Sequence, residues 1–312
     1  MDKCFLIGNG LNRTLNASIS WDELLKDIAE EHNVEYCADI PMPLEFERIV
    51  NCCLCNSVAP SVNVYSEFKK EIAKKILYTK LPQDGIHYRL LNSNANAIMT
   101  TNYDYLLEYV FSPSYEHKGN QQKYLFDPTS IQKGVQFYHL HGMAAVPQSI
   151  CLGYEHYAGI VEKLRTQLNK KENNENQKMI IKQVLLGEKK PTNTWGERFY
   201  TSNIAIMGLG LSSCEIDLWW LITHRAYLYF ADYCGLKSHI KNLIVYYDIV
   251  DNIVHNNSKD EEIRRRRQNE KLKTHLLLRN SHVDVRTYNL SEFDGSYFEA
   301  YSEIIDDAMK LI

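Results

Sequence analysis

The sequence predicts an α/β fold: a Rossmann-like, three-layer, mostly parallel sheet with helices on both faces and helical insertions. Three observations carry this. Short apolar runs without polar alternation recur along the chain, helix-patterned segments separate them, and several runs end in turns rich in glycine or small polar residues. Strands that do not alternate are buried on both faces, as parallel sheets covered by helices require. At 312 residues and 45% apolar, the chain can form one such domain with a full core.

The elements follow in order. Cys4-Phe5-Leu6-Ile7 is the first buried strand, ending at Gly8-Asn9-Gly10. Ser20 followed by Glu23 is a capping box, and Trp21, Leu24, Leu25 and Ile28 give a first helix its apolar face. Residues 41–91 read as helical, with Leu44, Ile49 and Val50 on one segment and Phe68, Ile72, Ile76 and Leu77 on another. Two helices in succession interrupt a strand–helix rhythm, so 41–91 is expected to be an inserted module. Residues 97–100 form a second buried strand, and Leu106, Leu107 and Val110 lie on the helix after it. The polar stretch 112–134 suits a loop or weak hairpin leading into a strand at 135–140. Residues 155–187 are again helical, with a polar centre at 169–176 that suits a connector or lid. Further strands are expected at 203–207 and 243–247, with an apolar helix over 215–229 between them. A charged surface helix over 259–273, an edge strand at 283–288 and a closing helix at 302–312 complete the pattern. In the charged helix, Arg264 to Arg267 are balanced by Asp260, Glu261 and Glu262, which reads as a solvated face.

A net charge of −4 gives no global attraction to phosphate backbones or anionic lipid, so direct nucleic-acid binding is not expected. No apolar run is long enough to cross a bilayer, and Met1-Asp2-Lys3-Cys4 leads into a strand rather than a leader, so a cytoplasmic protein is expected. In that setting the cysteines at 4, 37, 52, 53, 55, 151, 214 and 234 are expected to be reduced thiols. The densest group, Cys52-Cys53-Leu54-Cys55, has no second ligand pair for a structural zinc site. No metal is therefore expected, and a buried helix face is the better reading.

Four turns carry the candidate chemistry, because open α/β sheets bind ligands beyond the carboxyl ends of their strands. In Gly8-Asn9-Gly10-Leu11-Asn12-Arg13, the glycines would let backbone N–H groups approach a pyrophosphate, and Arg13 would complement its charge. Arg13 stands where a dinucleotide fingerprint has its third glycine, so a plain strand-exit turn is the competing reading. In Thr101-Asn102-Tyr103-Asp104, Asn102 could hold a water or ribose hydroxyl and Asp104 could orient loops or ribose; helix capping is the alternative. Strand periodicity places His139 and His141 on one side. With no carboxylate nearby in the sequence, they suit acid–base work better than metal binding, and His139 also reads as a structural histidine. Gly142 leaves room for a ligand. The fourth turn, Gly208-Leu209-Gly210-Leu211-Ser212-Ser213, is followed by Glu215, Asp217 and, at the next strand exit, Asp248; these suit the second ribose and adenine end of a dinucleotide.

At these turns the sequence resembles the sirtuin-like superfamily, in particular its prokaryotic SIR2-like members. Gly8-Asn9-Gly10 stands where sirtuins carry Gly-Ala-Gly, and Thr101-Asn102-Tyr103-Asp104 matches the Thr-Asn-Tyr-Asp form of bacterial SIR2-like proteins. His141-Gly142 matches the catalytic His-Gly, Gly208 to Ser212 the later glycine–serine loop, and Asp248 the nucleotide-binding strand end. The resemblance implies a sirtuin-type sheet over one domain, NAD+ as substrate, and Asn102 and His141 as catalytic residues. It also implies that Gly8, Asn9, Gly10, Leu11, Asn12, Arg13, Thr101, Asp104, Gly208, Leu209, Gly210, Ser212 and Asp248 surround the nucleotide. Deacylating sirtuins hold zinc with two cysteine pairs beside an acyl-peptide groove; this sequence supplies no such module, and 41–91 is different in kind. The resemblance therefore points to antiphage effectors that hydrolyse NAD+ to nicotinamide and ADP-ribose, ahead of an NAD-dependent protein deacylase. A non-catalytic NAD or ADP-ribose sensor is a third reading. Because a cell-killing hydrolase needs restraint, a homo-oligomer or a defence-system partner protein is expected.

Overall fold

The computed structural model describes residues 1–15, 20–57, 62–76, 85–115, 125–169, 179–250 and 258–312, side chains at 258–264 and 267 excepted. The first apolar run becomes β1 (Asp2–Ile7), and its exit winds into one short turn, α1 (Asn9–Asn12). The capping box forms in full at the start of α2 (Trp21–Glu31): Ser20 Oγ accepts from the Glu23 N–H, and the Glu23 carboxylate accepts from the Ser20 N–H. Next come α3 (Met42–Asn56), opened by prolines in its first turn, and α4 (Val64–Ile76). The second buried strand is β2 (Ala97–Thr100), followed by α5 (Leu106–Phe111). The polar stretch ends in an antiparallel hairpin of β3 (Ser130–Gln132) and β4 (Val135–His139), turned by Lys133 and Gly134 at positive φ. Helices α6 (Tyr154–Asn169), α7 (Ile180–Leu185) and α8 (Trp195–Thr201) lead to β5 (Ser202–Met207) and the apolar α9 (Ile216–Phe230). The chain finishes with β6 (Ile244–Val250), α10 (Ser258–Asn280), β7 (Asp284–Asn289) and α11 (Tyr297–Leu311).

The strands form one sheet in the order β3-β4-β2-β1-β5-β6-β7, and every pairing except β3–β4 is parallel. This is a Rossmann-like α/β layout. Successive side chains point to opposite faces, so Leu6, Met99, Tyr138, Ile206 and Tyr246 share one core with Leu164, Phe199 and Leu221. Phe5, Ile7, Ile98, Phe137, Met207 and Val245 share the other with Leu107 and Ile304. Helices α2, α3 and α4 close around a third core of Leu25, Ile28, Phe46, Ile49, Phe68 and Ile72, which also takes in Tyr103 and Ile150 from the strand exits. Among the described residues no helix is long and apolar enough to cross a membrane.

The topology creates a crevice. From β1 the chain steps to β2 and β4 on one side, then returns to lay β5, β6 and β7 on the other. Strand order reverses between β1 and β5, and ligands of open α/β sheets bind at such a switch point.

Several expectations meet different facts. The cysteines near 52 do not lie on a buried face: Cys52 and Cys53 are half-buried and Cys55 is exposed. The buried stripe of α3 is Phe46, Ile49 and Val50, and it fades as the helix ends. All eight cysteines are free thiols. The polar centre at 169–176 lies outside the described residues beyond Asn169, as does Leu77. Of the arginine run only the side chains of Arg265 and Arg266 are described, and Arg266 pairs with Asp39 at 3.1 Å and Glu270 at 3.8 Å.

Candidate active site at the strand switch point

The turns after β1 and β5 are packed backbone to backbone. The Gly8 N–H donates to the Met207 carbonyl at 3.0 Å, and the Gly10 N–H donates to the Gly208 carbonyl at 2.7 Å. A Cβ at Gly8 would lie 2.5 Å from Gly208 O, and one at Gly10 would lie 2.7 Å from the same atom. Gly208 also has φ +65°, a left-handed value that favours glycine. The amides of Gly8 and Gly10 are themselves committed to the neighbouring turn. The glycines serve close approach of two strand exits.

Above this junction lies a cavity of about 440 Å³, within the ~300–1,000 Å³ usual for small-molecule sites. Of the sequence candidates, Asn9, Gly10, Arg13, Thr101, Gly208, Leu209, Gly210 and Asp248 line it. Gly8 lies beneath it, and Leu11 points into the sheet core. Ser212 faces solvent, where its Oγ accepts the Cys214 N–H at 3.3 Å. Arg13 supplies a cation on the β1 side. On the β6 side, both oxygens of Asp248 are engaged, one by Lys271 Nζ at 2.7 Å and the other by His275 Nε2 at 3.0 Å. Lys271 also reaches the Ile249 carbonyl at 2.7 Å and itself lines the cavity. Glu215, expected after the fourth turn, also lines it, and Trp21, Tyr297 and Tyr301 add walls that the sequence did not single out as site residues. Trp21 is brought there by the capped start of α2 and packs edge-on against Tyr103 at 4.8 Å.

Asn102 and His141 sit at matching levels of adjacent strand exits, because β2 and β4 pair with Thr100 opposite His139. The Asn102 turn is pinned from both ends. Its N–H donates to Thr100 Oγ1 at 3.0 Å, and its carbonyl accepts from His139 Nδ1 at 2.8 Å. His139 Nε2 in turn meets Glu108 Oε1 at 2.9 Å in full burial. Burial alone would lower the His139 pKa, but Glu108, the Asn102 carbonyl and Asp104 together outweigh it and the net direction is upward. Asp104 accepts from Asn12 Nδ2 at 2.8 Å and from the Leu106 N–H at 3.0 Å, and burial pushes its pKa up. Asn12 Oδ1 accepts from His87 Nε2 at 2.8 Å, and burial drops His87 to about 4, so this ring is neutral. Asn12, Asp104 and Asn102 thus form a buried polar layer beside the cavity rather than its lining.

The structure separates the two histidines that strand periodicity put together. His139 belongs to Glu108 and Asn102, whereas His141 Nε2 lies 3.0 Å from Asp217 Oδ2, with both side chains buried. Each histidine therefore has a carboxylate that is distant in the chain, by 31 and 76 residues. Asp217, expected at the adenine end, instead enters with the first turn of α9 to meet the β4 exit. Burial lowers the His141 pKa, the Asp217 and Glu215 carboxylates together raise it more, and the net shift is upward. Glu215 is itself pushed up to about 7, chiefly by burial, with His141 opposing and Asp217 reinforcing. The Tyr157 ring stands edge-on to His141 at 5.1 Å.

Three buried polar atoms here have no protein partner: Asn102 Nδ2, Asp217 Oδ1 and Glu215 Oε2. Buried donors and acceptors are almost always satisfied, so a donor at the β2 exit and two acceptors at the start of α9 fit polar, hydroxyl-bearing ligands or water. Among the described residues no group of three or more metal-binding side chains occurs.

A family described as SIR2-like domain matches residues 96–204, about a third of the chain. The matched stretch runs from the residue before β2 into β5 and includes Asn102, Asp104, His139 and His141. The glycine turns at 8 and 208 and the acids Glu215, Asp217 and Asp248 lie outside it. No curated protein matches the chain.

Proposed function

We propose that this chain is an NAD+ glycohydrolase, converting NAD+ and water to nicotinamide and ADP-ribose, with Asn102 and His141 at the reacting carbon. The observation that supports the reading is the β2–β4 register, which sets the turns of Asn102 and His141 at one level beside a cavity that Thr101 lines, within the stretch matched by the SIR2-like family. Nicotinamide leaves as a neutral base from a cationic precursor, so the C1′–N bond breaks toward an oxocarbenium-like ribose. The protein must then hold the ribose, screen the diphosphate and admit one water. In this reading Asn102, with its unpartnered Nδ2, holds that water or a ribose hydroxyl, and His141 is the general base. Arg13 and Lys271 screen the diphosphate, the glycine turns at 8 and 208 set its distance, and the Asp248 end receives the adenosine. Asp104 and Asn12 support this arrangement from the buried layer.

Water rather than an acyl-lysine is the acceptor because the helical segment 41–91 stands in place of a cysteine-paired module. On this reading the chain is a single functional unit over 1–312, with 155–187 as a connector. We place the activity in antiphage defence by NAD+ depletion, on the resemblance of the Gly-Asn-Gly and Thr-Asn-Tyr-Asp turns alone. Restraint would then come from self-assembly or a partner protein.

The test is release of nicotinamide and ADP-ribose from NAD+ by purified protein, alongside Asn102→Ala and His141→Ala. Release that both substitutions abolish, with folding intact, is the expected result. Deacylation of an acyl-lysine peptide would replace the proposal with the deacylase. NAD+ binding that raises the unfolding temperature without turnover, in any assembly state, would replace it with a sensor.

A further inference from the structure

We infer that Asp217 is a positioning residue that fixes the tautomer of His141, so that Nδ1 is the nitrogen that takes the proton from water. This rests on the hydrolase reading and adds a residue outside the stretch matched by the SIR2-like family. The argument starts from what a carboxylate can do. An ionised Asp accepts hydrogen bonds and donates none, so the 3.0 Å contact requires the His141 proton to sit on Nε2. A neutral His141 then has one free acceptor, Nδ1. A buried Asp that holds one ring nitrogen as N–H both orients the imidazole and stabilises the imidazolium formed when the other nitrogen is protonated.

The surroundings leave this role to Asp217. It is fully buried, His141 is its sole hydrogen-bond partner among the contacts described, and its Oδ1 is unpartnered. A carboxylate in such a place costs folding free energy unless a cation or hydrogen bonds offset it. The groups facing His141 are Asp217 and Glu215 at the start of α9 and the Tyr157 ring from α6. Tyr103 and Cys151 lie around the same acids, the Tyr103 hydroxyl donating to the Cys151 carbonyl and the Cys151 N–H to the His141 carbonyl. Burial keeps both tyrosines and Cys151 neutral, so the carboxylates alone set the charge on the ring.

The step balances. Water oxygen forms the bond to C1′ as the C1′–N bond breaks, and that electron pair leaves on the nicotinamide nitrogen. The water proton moves to His141 Nδ1, and the imidazolium, paired with Asp217, returns it to solvent after products leave. The ring must be neutral at the start, so turnover rises as pH climbs through the His141 pKa.

Two measurements test this. The first needs no turnover: 15N-histidine NMR of the folded protein, with His141→Gln to assign the signal, is expected to show the Nε2–H tautomer. A Nδ1–H tautomer would overturn the proposal even if the protein proves inactive on NAD+. The second is kinetic. Asp217→Asn is expected to lower kcat about 10²–10⁴-fold with KM within a few-fold, by analogy with the loss when a catalytic triad's Asp becomes Asn. Its acidic limb in the kcat–pH profile should move to lower pH, and Glu215→Gln should move that limb less. Asp217→Glu should recover part of kcat and of the limb, and it also serves if Asp217→Asn does not fold. A wild-type kcat in Asp217→Asn, or a loss confined to KM with an unmoved limb, would refute the role. Absence of NAD+ hydrolysis by the wild type would sink the hydrolase reading and leave the tautomer measurement to decide the dyad.

Discussion

The junction of the first and fourth turns can be tested by adding single methyl groups. In Gly208→Ala the new Cβ would lie 2.7 Å from the Leu11 nitrogen, at a backbone with φ +65°. Placing an L-residue in that left-handed region costs about 1–2 kcal/mol. Overpacking against backbone that cannot swing aside adds about 1–3 kcal/mol. The expected loss is therefore about 2–5 kcal/mol, a large part of the ~5–15 kcal/mol that holds a domain folded. Two controls separate the contributions. Gly187 has φ +74° but open space around it, so Gly187→Ala should lose only the backbone part, about 1–2 kcal/mol. Gly210 has neither positive φ nor a neighbour within 4 Å, so Gly210→Ala should fall within about 1 kcal/mol of the wild type. Urea unfolding at constant slope reads all three. If Gly208→Ala loses no more than Gly187→Ala, the two turns are not packed as described and the account of the cavity floor fails.

Other perturbations follow from the buried charges. Glu108→Ala strands His139 in full burial and should cost about 3–5 kcal/mol, whereas Asp306→Ala, facing the exposed Arg89, should cost under about 1 kcal/mol. Equal losses in urea titrations would refute the contrast. Stability should peak near the ordinary histidine pKa of about 6.5. Above it, His139 and His141, whose folded pKa values are raised, lose their contribution as pH climbs through those values. Below it, His87 and His224, both depressed to about 4, resist the protonation that the unfolded chain accepts, so stability falls toward that pH. Denaturation midpoints between pH 5 and 8.5 check this, and Asp217→Asn should flatten the alkaline arm. An alkaline arm unchanged in that variant would count against the His141 pairing.

The sheet was legible because its signal is local. A strand buried on both faces must be largely apolar, and the runs at 4–7, 97–99 and 204–207 are. The capping box at Ser20 was equally local, needing only residues three apart. The catalytic candidates could be found from their turns, yet their partners could not. Glu108 has nothing in its own neighbourhood to mark it, and Asp217, noted after the fourth turn, was expected at the adenine end; each gains its histidine only when α5 or α9 docks against β4. The same holds for Lys271 and His275, one turn apart on a helix whose charge pattern reads simply as solvated. The first glycine turn was ambiguous for a different reason: a backbone that must come close to phosphate and one that must come close to another backbone ask for the same residue.

That backbone junction also sets a schedule for biosynthesis. Gly8 and Gly10 leave the ribosome about 200 residues before Met207 and Gly208, the carbonyls that accept their amides. At ~5–20 residues per second this is a wait of about 10–40 s, during which the central strand has only one of its two neighbours. The cavity floor is therefore among the last parts of the molecule to close, and a nascent chain carries Asn102 and His141 well before it has a pocket for them to serve. Whatever the chain binds there, the pocket is absent through most of its synthesis, by chain order alone.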